Sequence, residues 1–402
     1  MSPDPTPPSG APATEVSFRP FAFASTTGTV ILMGAVTSLF GPLLETFTHR
    51  FHVSLPTAGA ALSVYFVGAT IGVLPGWLGL KRLEGRTVLT ISLVTISLGA
   101  AGATFSHPWA LFLASVLVVG LGGGALDVAV NTLLARTAPD GRARRLSIGN
   151  GGYGVGAVIC PLIIIGIGPS HFTMLFGGLC VIGLVLSTLN RGVHAPPLRT
   201  EPLQYEITKM KAQRRPIVAT FIVANVIYVA IETSLSGWMA TDVHSIGYSQ
   251  SIGSLVTAGF WCGLAAGRLA GGPLYHWLSD KKLVLGGLTA AIVLCGLAAI
   301  GPLAPFAYPL LGLIIASIFP MGLIWYTKLC PHDSDGLSLL IFIIMIGGVA
   351  GPGAVSLLVS HFGVRVVPYT LASYAVLDLA VFLSALRFRP IAVTARVSEP
   401  ER

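Results

Sequence analysis

The chain has 402 residues, of which 53% are hydrophobic and only 10% are charged. A soluble protein of this length carries about a quarter charged residues, so the composition excludes a soluble globular fold and indicates a membrane protein. The net charge of +8 does not indicate a nucleic-acid partner. It follows from the concentration of basic residues in the loops on one side of the membrane.

Apolar runs separated by short polar breaks predict about twelve transmembrane helices, each close to the ~20 residues that cross a bilayer. All but three of the 24 Lys and Arg residues lie in the two tails or in the loops that follow even-numbered spans. The positive-inside rule therefore places both termini in the cytoplasm and the chain in the plasma or inner membrane. The predicted spans cover residues 21–44, 57–79, 87–106, 108–135, 147–168, 171–190, 216–239, 250–274, 282–300, 303–327, 337–360 and 366–386.

The longest basic loop, residues 191–215, separates six spans from six. We expect an N-terminal bundle at 21–190 and a C-terminal bundle at 216–388, with cytoplasmic tails at 1–20 and 389–402. The first tail is rich in Pro and Ser and lacks the basic start of a signal peptide, which indicates a disordered tail rather than a cleaved leader. The five Cys show no disulfide or metal spacing, so we expect packing roles, no metal and no cofactor.

The two halves repeat a glycine pattern at an interval of about 195 residues. A basic cluster follows the pattern in each half. Parallel repeats of six spans are typical of one large class of secondary transporters, and glycines at every fourth position let helix backbones approach closely. The repeated positions are Gly68, Gly72 and Gly76 in span 2, and Gly263, Gly267 and Gly271 in span 8.

Span 4 carries an ionisable group at bilayer depth: Asp127, followed one helical turn later by Asn131. Such a group costs ~2.5–3.5 kcal/mol on insertion scales, and an ion or substrate pathway is the usual reason that it is kept. Positions i and i+4 share one helical face, so span 4 turns a polar stripe away from lipid. A carboxylate in a low-dielectric cavity is suited to carry a proton, so Asp127 is the first candidate for proton coupling. The alternative is a packing Asp that a neighbouring Ser, Asn or backbone donor satisfies.

Span 7 carries a longer polar stripe, formed by Asn225, Tyr228, Glu232 and Ser236. The spacing of these residues places them along one side of a helix, and a polar stripe among apolar spans should face a cavity. An aromatic ring, an amide and a carboxylate suit a sugar, which needs stacking and hydrogen bonds. Glu232 is a second candidate protonation site or a direct ligand of a hydroxyl. The alternative is a polar seam between helices.

Three further spans contain candidate residues. Span 5 offers Asn150 and Tyr153, for which solute contact and helix packing are equally good interpretations. Span 8 offers Trp261, which could stack on a sugar ring, and Arg268, which we expect at the gate between the bundles. Span 10 offers Pro320, whose kink beside a cavity would serve as a gating hinge.

These features together resemble the major facilitator superfamily over residues 20–388. In that superfamily the loop between spans 2 and 3 carries a motif of glycines, arginines and an acid. Gly76 and Gly85–Arg86 match the motif and are therefore predicted to act in gating, whereas the acid falls at Leu80 or Lys81 and is missing. The resemblance implies an all-α fold of two pseudo-symmetric six-helix bundles, with spans 1, 4, 7 and 10 around a central cavity.

Within the superfamily, the chain is similar to the fucose, galactose and hexose permease group. The resemblance is carried by the strings at residues 126–131, 228–238, 259–269 and 318–320. It implies transport of a sugar with a proton. Permeases of this group often carry an Asp in span 1, near residues 38–41, and no acid stands there in this chain. Either the coupling differs or Asp127 and Glu232 share the work.

The sequence therefore predicts a monomeric, proton-coupled carrier of a small polar solute, with a monosaccharide as the first choice. No nucleotide-binding Gly-x-x-x-x-Gly-Lys-Ser/Thr string is present, which argues against a primary pump. No His lies deep in a predicted span, which argues against most intramembrane enzymes. Two alternatives stay open: an exporter of drugs or metabolites on the same fold, and sodium coupling through the oxygens of Asp127 and Asn131.

Overall fold

The structure, a computed structural model, describes residues 16–18, 20–136, 142–198, 214–275, 277–331 and 333–390. Most of the predicted N-terminal tail, much of the predicted linker and nearly all of the C-terminal tail lie outside the described residues. The helices are α1 (Pro20–Ser38), α2 (Phe40–Phe51), α3 (Leu55–Arg82), α4 (Gly85–Phe105), α5 (Trp109–Ala135), α6 (Arg142–Ile167), α7 (Phe172–Leu189), α8 (Arg214–Ser245), α9 (Gln250–Tyr275), α10 (Asp280–Ala299), α11 (Ala304–Ile315), α12 (Ile318–Leu329), α13 (Ser334–Ile343), α14 (Met345–Phe362) and α15 (Val367–Ala385).

The fifteen α-helices of the described residues make up twelve spans. The pairs α1 with α2, α11 with α12 and α13 with α14 each form one interrupted span, and each of the other nine helices forms one span. Eleven spans are long and apolar enough to cross a membrane, and the stretch Gly151–Ile167 of α6 is a shorter apolar helix that completes the twelve. The predicted all-α polytopic fold is confirmed.

Three spans are interrupted at their middle. In span 10 the break at Ala316 and Ser317 precedes α12, and Pro320 lies in the first turn of that helix. Proline has no N–H for the carbonyl four residues earlier, that of Ala316, and its ring crowds that carbonyl. The sequence predicted a kink, and the helix is in fact interrupted at this place. Leu39 and Ile344 mark the breaks in spans 1 and 11.

The repeated glycines hold helix pairs in backbone contact within each half. A Cβ added to Gly72 in α3 would overlap the carbonyl of Leu121 in α5, and one added to Gly124 would overlap the carbonyl of Ala69. In the second half, Gly263 of α9 stands equally close to the backbone of α11. Spans 2 and 4 and spans 8 and 10 are therefore equivalent pairs. The glycine repeat predicted a close approach at spans 2 and 8 but not their partners.

The two halves meet along α3 with α14 and α6 with α9. We call the face at which α1 begins and α15 ends the terminal face. On the opposite face, spans 1 and 7 are in contact: a Cβ at Gly41 would overlap the carbonyl of Ser236. Gln250 donates to the α2 backbone over 3.1 Å. A pair that we call the latch joins Glu45 Oε2 and His244 Nε2 at 3.3 Å.

On the terminal face, residues 193–198 form a strap across the N-terminal half. The strap starts in a short antiparallel pair of strands, β1 (Ser17–Phe18) and β2 (Val193–His194). The Gly85 N–H donates to the carbonyl of Ala195, and the Leu198 N–H donates to the carbonyl of Leu80, both over 2.8 Å. A Cβ at Gly85 would lie 2.7 Å from the Cβ of Ala195, so a larger residue would push the strap away.

Charged side chains hold the terminal face of the C-terminal half. Asp333, before α13, forms an ion pair with Arg214 at the start of α8 and accepts a hydrogen bond of 2.6 Å from the hydroxyl of Tyr326. Burial by itself would raise the pKa of Asp333, but these donors and the Gly336 N–H hold that pKa below its ordinary value. This cluster anchors the first residue of α8 to the loop after span 10.

Candidate functional site

A cavity of about 320 Å³ lies between the two halves. Residues of spans 1, 2, 4, 5, 7, 8, 10 and 11 line it, so both bundles contribute walls. The volume lies at the lower end of the ~300–1,000 Å³ of small-molecule sites. The polar lining consists of Thr37, Tyr65, Asp127, Asn131, Tyr153, Glu232 and Arg268.

The cavity is open toward the terminal face. It extends along α5 to Leu134, next to the end of that helix, and the Asn131 side chain on its wall is exposed. On the opposite face the contact between spans 1 and 7 closes it. In this structure the cavity is therefore accessible from one face only.

Asp127 and Asn131 lie side by side on the N-terminal wall, as the i, i+4 spacing predicted. The Asn131 Nδ2 donates to the Asp127 Oδ1 over 2.9 Å and to the Asp127 carbonyl over 3.0 Å. In the described part of the chain, no Lys, Arg or His forms an ion pair with Asp127. The carboxylate is therefore held by a neutral donor, which leaves it able to gain and lose a proton without breaking an ion pair.

Glu232 and Arg268 form a pair on the C-terminal wall. The Arg268 Nη2 lies 3.6 Å from the Glu232 Oε1, which is an ion-pair distance but too long for a good hydrogen bond. We predicted Arg268 at the gate between the bundles; instead it lines the cavity and pairs within its own bundle. The charges of the cavity are thus divided, with one carboxylate on one bundle and a carboxylate–guanidinium pair on the other.

The first half of the span-7 stripe packs among neighbouring helices and does not line the cavity itself. Tyr228 is buried behind the cavity wall: it stacks on Phe319 of α12, with ring centroids 5.8 Å apart, and its hydroxyl lies beside the Glu232–Arg268 pair. Asn225 is fully buried and donates to the carbonyl of Phe221 over 2.7 Å. The spacing of the stripe was a correct helical pattern, but α8 packs against spans 8, 10, 11 and 12. A polar side of such a crowded helix can face a helix seam as well as a cavity.

Tyr153 and Trp261 meet between the bundles, with ring centroids 5.8 Å apart in an edge-to-face arrangement. Tyr153 lines the cavity, whereas Trp261 lines a smaller chamber next to it. The side chain of Asn150 lies outside the described residues. Tyr65 and Thr37 are cavity residues that we did not predict. A single Tyr or Thr in an apolar span does not indicate whether its side chain faces a cavity or a neighbouring helix.

The predicted gating residues do not bridge the bundles. Gly76 packs against Ala125 of α5. A Cβ added to Gly76 would lie 2.7 Å from the Cα of Ala125. Arg86 pairs with Glu84 of its own loop at 2.5 Å, and both side chains are about half exposed. Pro320 starts the second half of span 10. Of these residues, Pro320 alone stands at a break in a cavity-lining span.

A family model for the Major Facilitator Superfamily matches residues 26–336, which is most of the chain. The chain belongs to the Major Facilitator Superfamily. Among curated relatives, it is 22% identical over 269 residues to the protein TsgA of Salmonella paratyphi B. The match covers 65% of this chain and 68% of that protein.

Solved structures of other superfamily members share the fold. A D-xylose–proton symporter gives a TM-score of 0.80 at 15% identity and covers 93% of this chain and 98% of its own. A bacterial homologue of the lysosomal transporter Spinster, inward-facing and occupied, gives 0.77 at 15% identity, over 92% and 97%. The transporter FucP in the outward conformation gives 0.63 at 17% identity, over 90% and 98%. These likenesses show a transporter fold and argue against an enzyme.

Proposed function

We propose that this transporter moves a small polar solute, with a monosaccharide as the first candidate, together with protons by alternating access. The observation that carries the proposal is the division of charge across the cavity. Asp127 stands on one bundle and the Glu232–Arg268 pair on the other. Rocking of the bundles changes the separation of these groups, so their charge state and the conformation are coupled.

The size and lining of the cavity support a small hydroxylated solute. A cavity of about 320 Å³ suits a molecule of about a dozen heavy atoms better than a bulky amphiphile. Hydroxyls and amides that donate and accept are available from Asn131, Tyr65 and Tyr153. One of the solved structures with this fold is a D-xylose–proton symporter, which supports a sugar and a proton as the transported pair here.

Proton coupling is assigned to Asp127 first and to Glu232 second. Asp127 is held by the neutral Asn131, so protonation removes a charge without breaking an ion pair. Glu232 is already paired with Arg268, and protonation of Glu232 would release the guanidinium to the solute. Sodium coupling would instead require oxygen ligands around Asp127 and Asn131.

The terminal face is assigned to the cytoplasm because the basic residues concentrate on that side. The state described is then inward-open, and the latch is part of the closed outer side. The break beside Pro320 in span 10 is the candidate hinge, since a missing backbone hydrogen bond lowers the cost of bending. The chain is expected to work as a monomer.

The test uses proteoliposomes that contain the purified protein and an internal pH dye. With no imposed gradient, monosaccharides and other polar solutes are added one at a time. A solute that drives proton movement, with the movement lost in Asp127→Asn, supports the proposal. Movement with a hydrophobic cation or amphiphile and with no sugar would instead indicate the exporter. Solute uptake that depends on sodium at fixed pH would replace the proton as the coupling ion.

A further inference from the structure

A second chamber of about 160 Å³ adjoins the central cavity on the side of the closed face. It shares Thr37, Tyr153 and Glu232 with the cavity and extends past them along α8 to Ser236. Trp261 of α9 forms another part of its wall. We call it the deep chamber. Its volume far exceeds the ~10–15 Å³ that a single water requires, so it can hold a substantial part of a small solute.

Two polar groups of the chamber residues have no partner. The Nε1–H of Trp261 and the hydroxyl of Ser236 are buried, and neither forms a hydrogen bond with any described residue. Trp261 is 2% exposed and Ser236 is 3% exposed. Buried polar groups are nearly always paired, and an unpaired one lowers stability. Other buried polar groups of the described residues, such as the Trp325 Nε1–H, are also unpaired, but Trp261 and Ser236 are the two whose residues line this chamber. Their common place in its wall points to an occupant that pairs with them.

The chemistry of the walls selects the occupant. The Trp261 N–H can only donate, the Glu232 carboxylate can only accept, and the Ser236 hydroxyl can do both. A hydroxyl on the solute donates to the carboxylate and accepts from the indole. An ammonium group would leave the indole donor unpaired, and a carboxylate on the solute would be repelled by Glu232. The aromatic rings of Tyr153 and Trp261 suit the apolar face of a sugar ring.

We propose that the deep chamber is the subsite that receives the uncharged, hydroxyl-bearing end of the solute, with Trp261 and Ser236 as specificity-determining residues. The inference rests on the proposed function, because it places the transported solute in the same path. It adds that the solute is a neutral polyol or sugar and that it passes the charged cavity to reach the chamber. The closed contact between spans 1 and 7 then lies directly beyond the bound solute.

The test measures binding, separately from transport, to the purified full-length protein. Neutral sugars and linear polyols are compared with an amino sugar and a sugar acid of the same size. We expect a neutral compound to bind best. Trp261→Phe keeps the aromatic ring and loses the donor, and Ser236→Ala loses the hydroxyl. Each should weaken binding about two- to tenfold, which is the range for one lost hydrogen bond.

The matched control is Trp325→Phe. The Trp325 Nε1–H is also buried and unpaired, but this residue packs on Phe221 and Phe382, away from both cavities. This variant should keep the wild-type affinity, and thermal unfolding checks that all three variants fold. Unchanged affinity in both Trp261→Phe and Ser236→Ala would show that the chamber holds water only and would overturn the proposal, as would stronger binding of either charged analogue.

Failure of the subsite and failure of the proposed function give different results. Neutral sugars that bind through Trp261 and Ser236 but move no protons would retain the subsite and overturn proton-coupled transport. Proton-coupled transport of a charged solute, with no binding of any neutral probe, would retain the coupling and overturn the subsite.

Discussion

Replacement of Asp127 by Asn is the sharpest perturbation of the proposed mechanism. The Asn131 Nδ2 donates to the Asp127 Oδ1 over 2.9 Å, and the carbonyl oxygen of an Asn side chain at position 127 can accept the same hydrogen bond. Shape and local pairing are therefore conserved, and only the ability to carry a proton is lost. Asp378→Asn is the matched control, because Asp378 is a fully buried acid in α15 that does not line the cavity.

The expected magnitude follows from the number of acids that titrate. With one proton moved per solute molecule, a difference of one pH unit supplies about 1.4 kcal/mol, which is a tenfold accumulation of solute. Asp127→Asn should reduce the accumulation ratio from about ten to about one. Exchange of solute between the two sides at equal pH should continue, because the remaining cavity lining is unchanged. Asp378→Asn should accumulate solute like the wild type.

The assay is uptake of labelled solute into proteoliposomes under an imposed pH difference, followed to its plateau. The plateau, rather than the initial rate, reports coupling, because a slow but coupled carrier still reaches the full ratio. An Asp127→Asn variant that reaches the wild-type plateau would remove Asp127 from the coupling and direct attention to Glu232. Equal losses in both variants would mean that any buried acid matters for folding, and the assignment would lose its support.

Three further changes test the packing and the closures of the fold. Gly124→Leu should prevent α5 from packing on α3 and sharply lower the yield of folded protein, whereas Gly178→Leu, with open space at its Cβ, should not. Asp333→Asn should cost about 1–3 kcal/mol at neutral pH by thermal unfolding. Since the pKa of Asp333 is lowered in the folded state, this contribution is present above the ordinary value of ~3.9 and is lost as the pH falls through the lower folded value. In a variant that carries Thr37→Cys on the cavity wall, His244→Gln should open the latch and increase the reaction of that Cys with a thiol reagent added from the opposite face.

The sequence was sufficient for the fold and for part of the cavity. Length and composition predict the twelve spans, and glycines at every fourth position predict close backbone contacts at spans 2 and 8, although not the partner helices. Asp127 and Asn131 were found because a charge at bilayer depth is costly and needs a reason. Glu232 was found for the same reason. A residue that is costly to place in lipid can thus be recognised from the sequence as a candidate cavity residue.

Residues without that penalty could not be assigned from the sequence. Asn225 and Tyr228 share a helical stripe with Glu232, yet Asn225 bonds to the backbone of its own helix and Tyr228 is buried behind Phe319, so neither lines the cavity. Helical spacing fixes which residues share a side of α8, but the positions of neighbouring helices decide what that side meets. Arg268 does carry that penalty, but its side chain is long, so its position in the chain did not indicate that its guanidinium would lie beside Glu232.

The strap was also invisible in the sequence, because main-chain groups form it. The superfamily motif expects an acid at Leu80 or Lys81, and its absence suggested a missing contact. The carbonyl of Leu80 instead accepts a hydrogen bond from the Leu198 N–H. Every residue except proline offers the same backbone groups, so no side-chain pattern marks such a contact.

The strap also decides where the tether between the halves begins. Because Leu198 is bound to the N-terminal half and Arg214 to the C-terminal half, the connecting segment is residues 199–213 rather than the whole basic loop. Fifteen residues reach at most about 50 Å. A backbone cut within them would leave both anchors on their own halves. Two separately expressed half-transporters should therefore each keep their own terminal face intact and find each other in the membrane through α3 with α14 and α6 with α9.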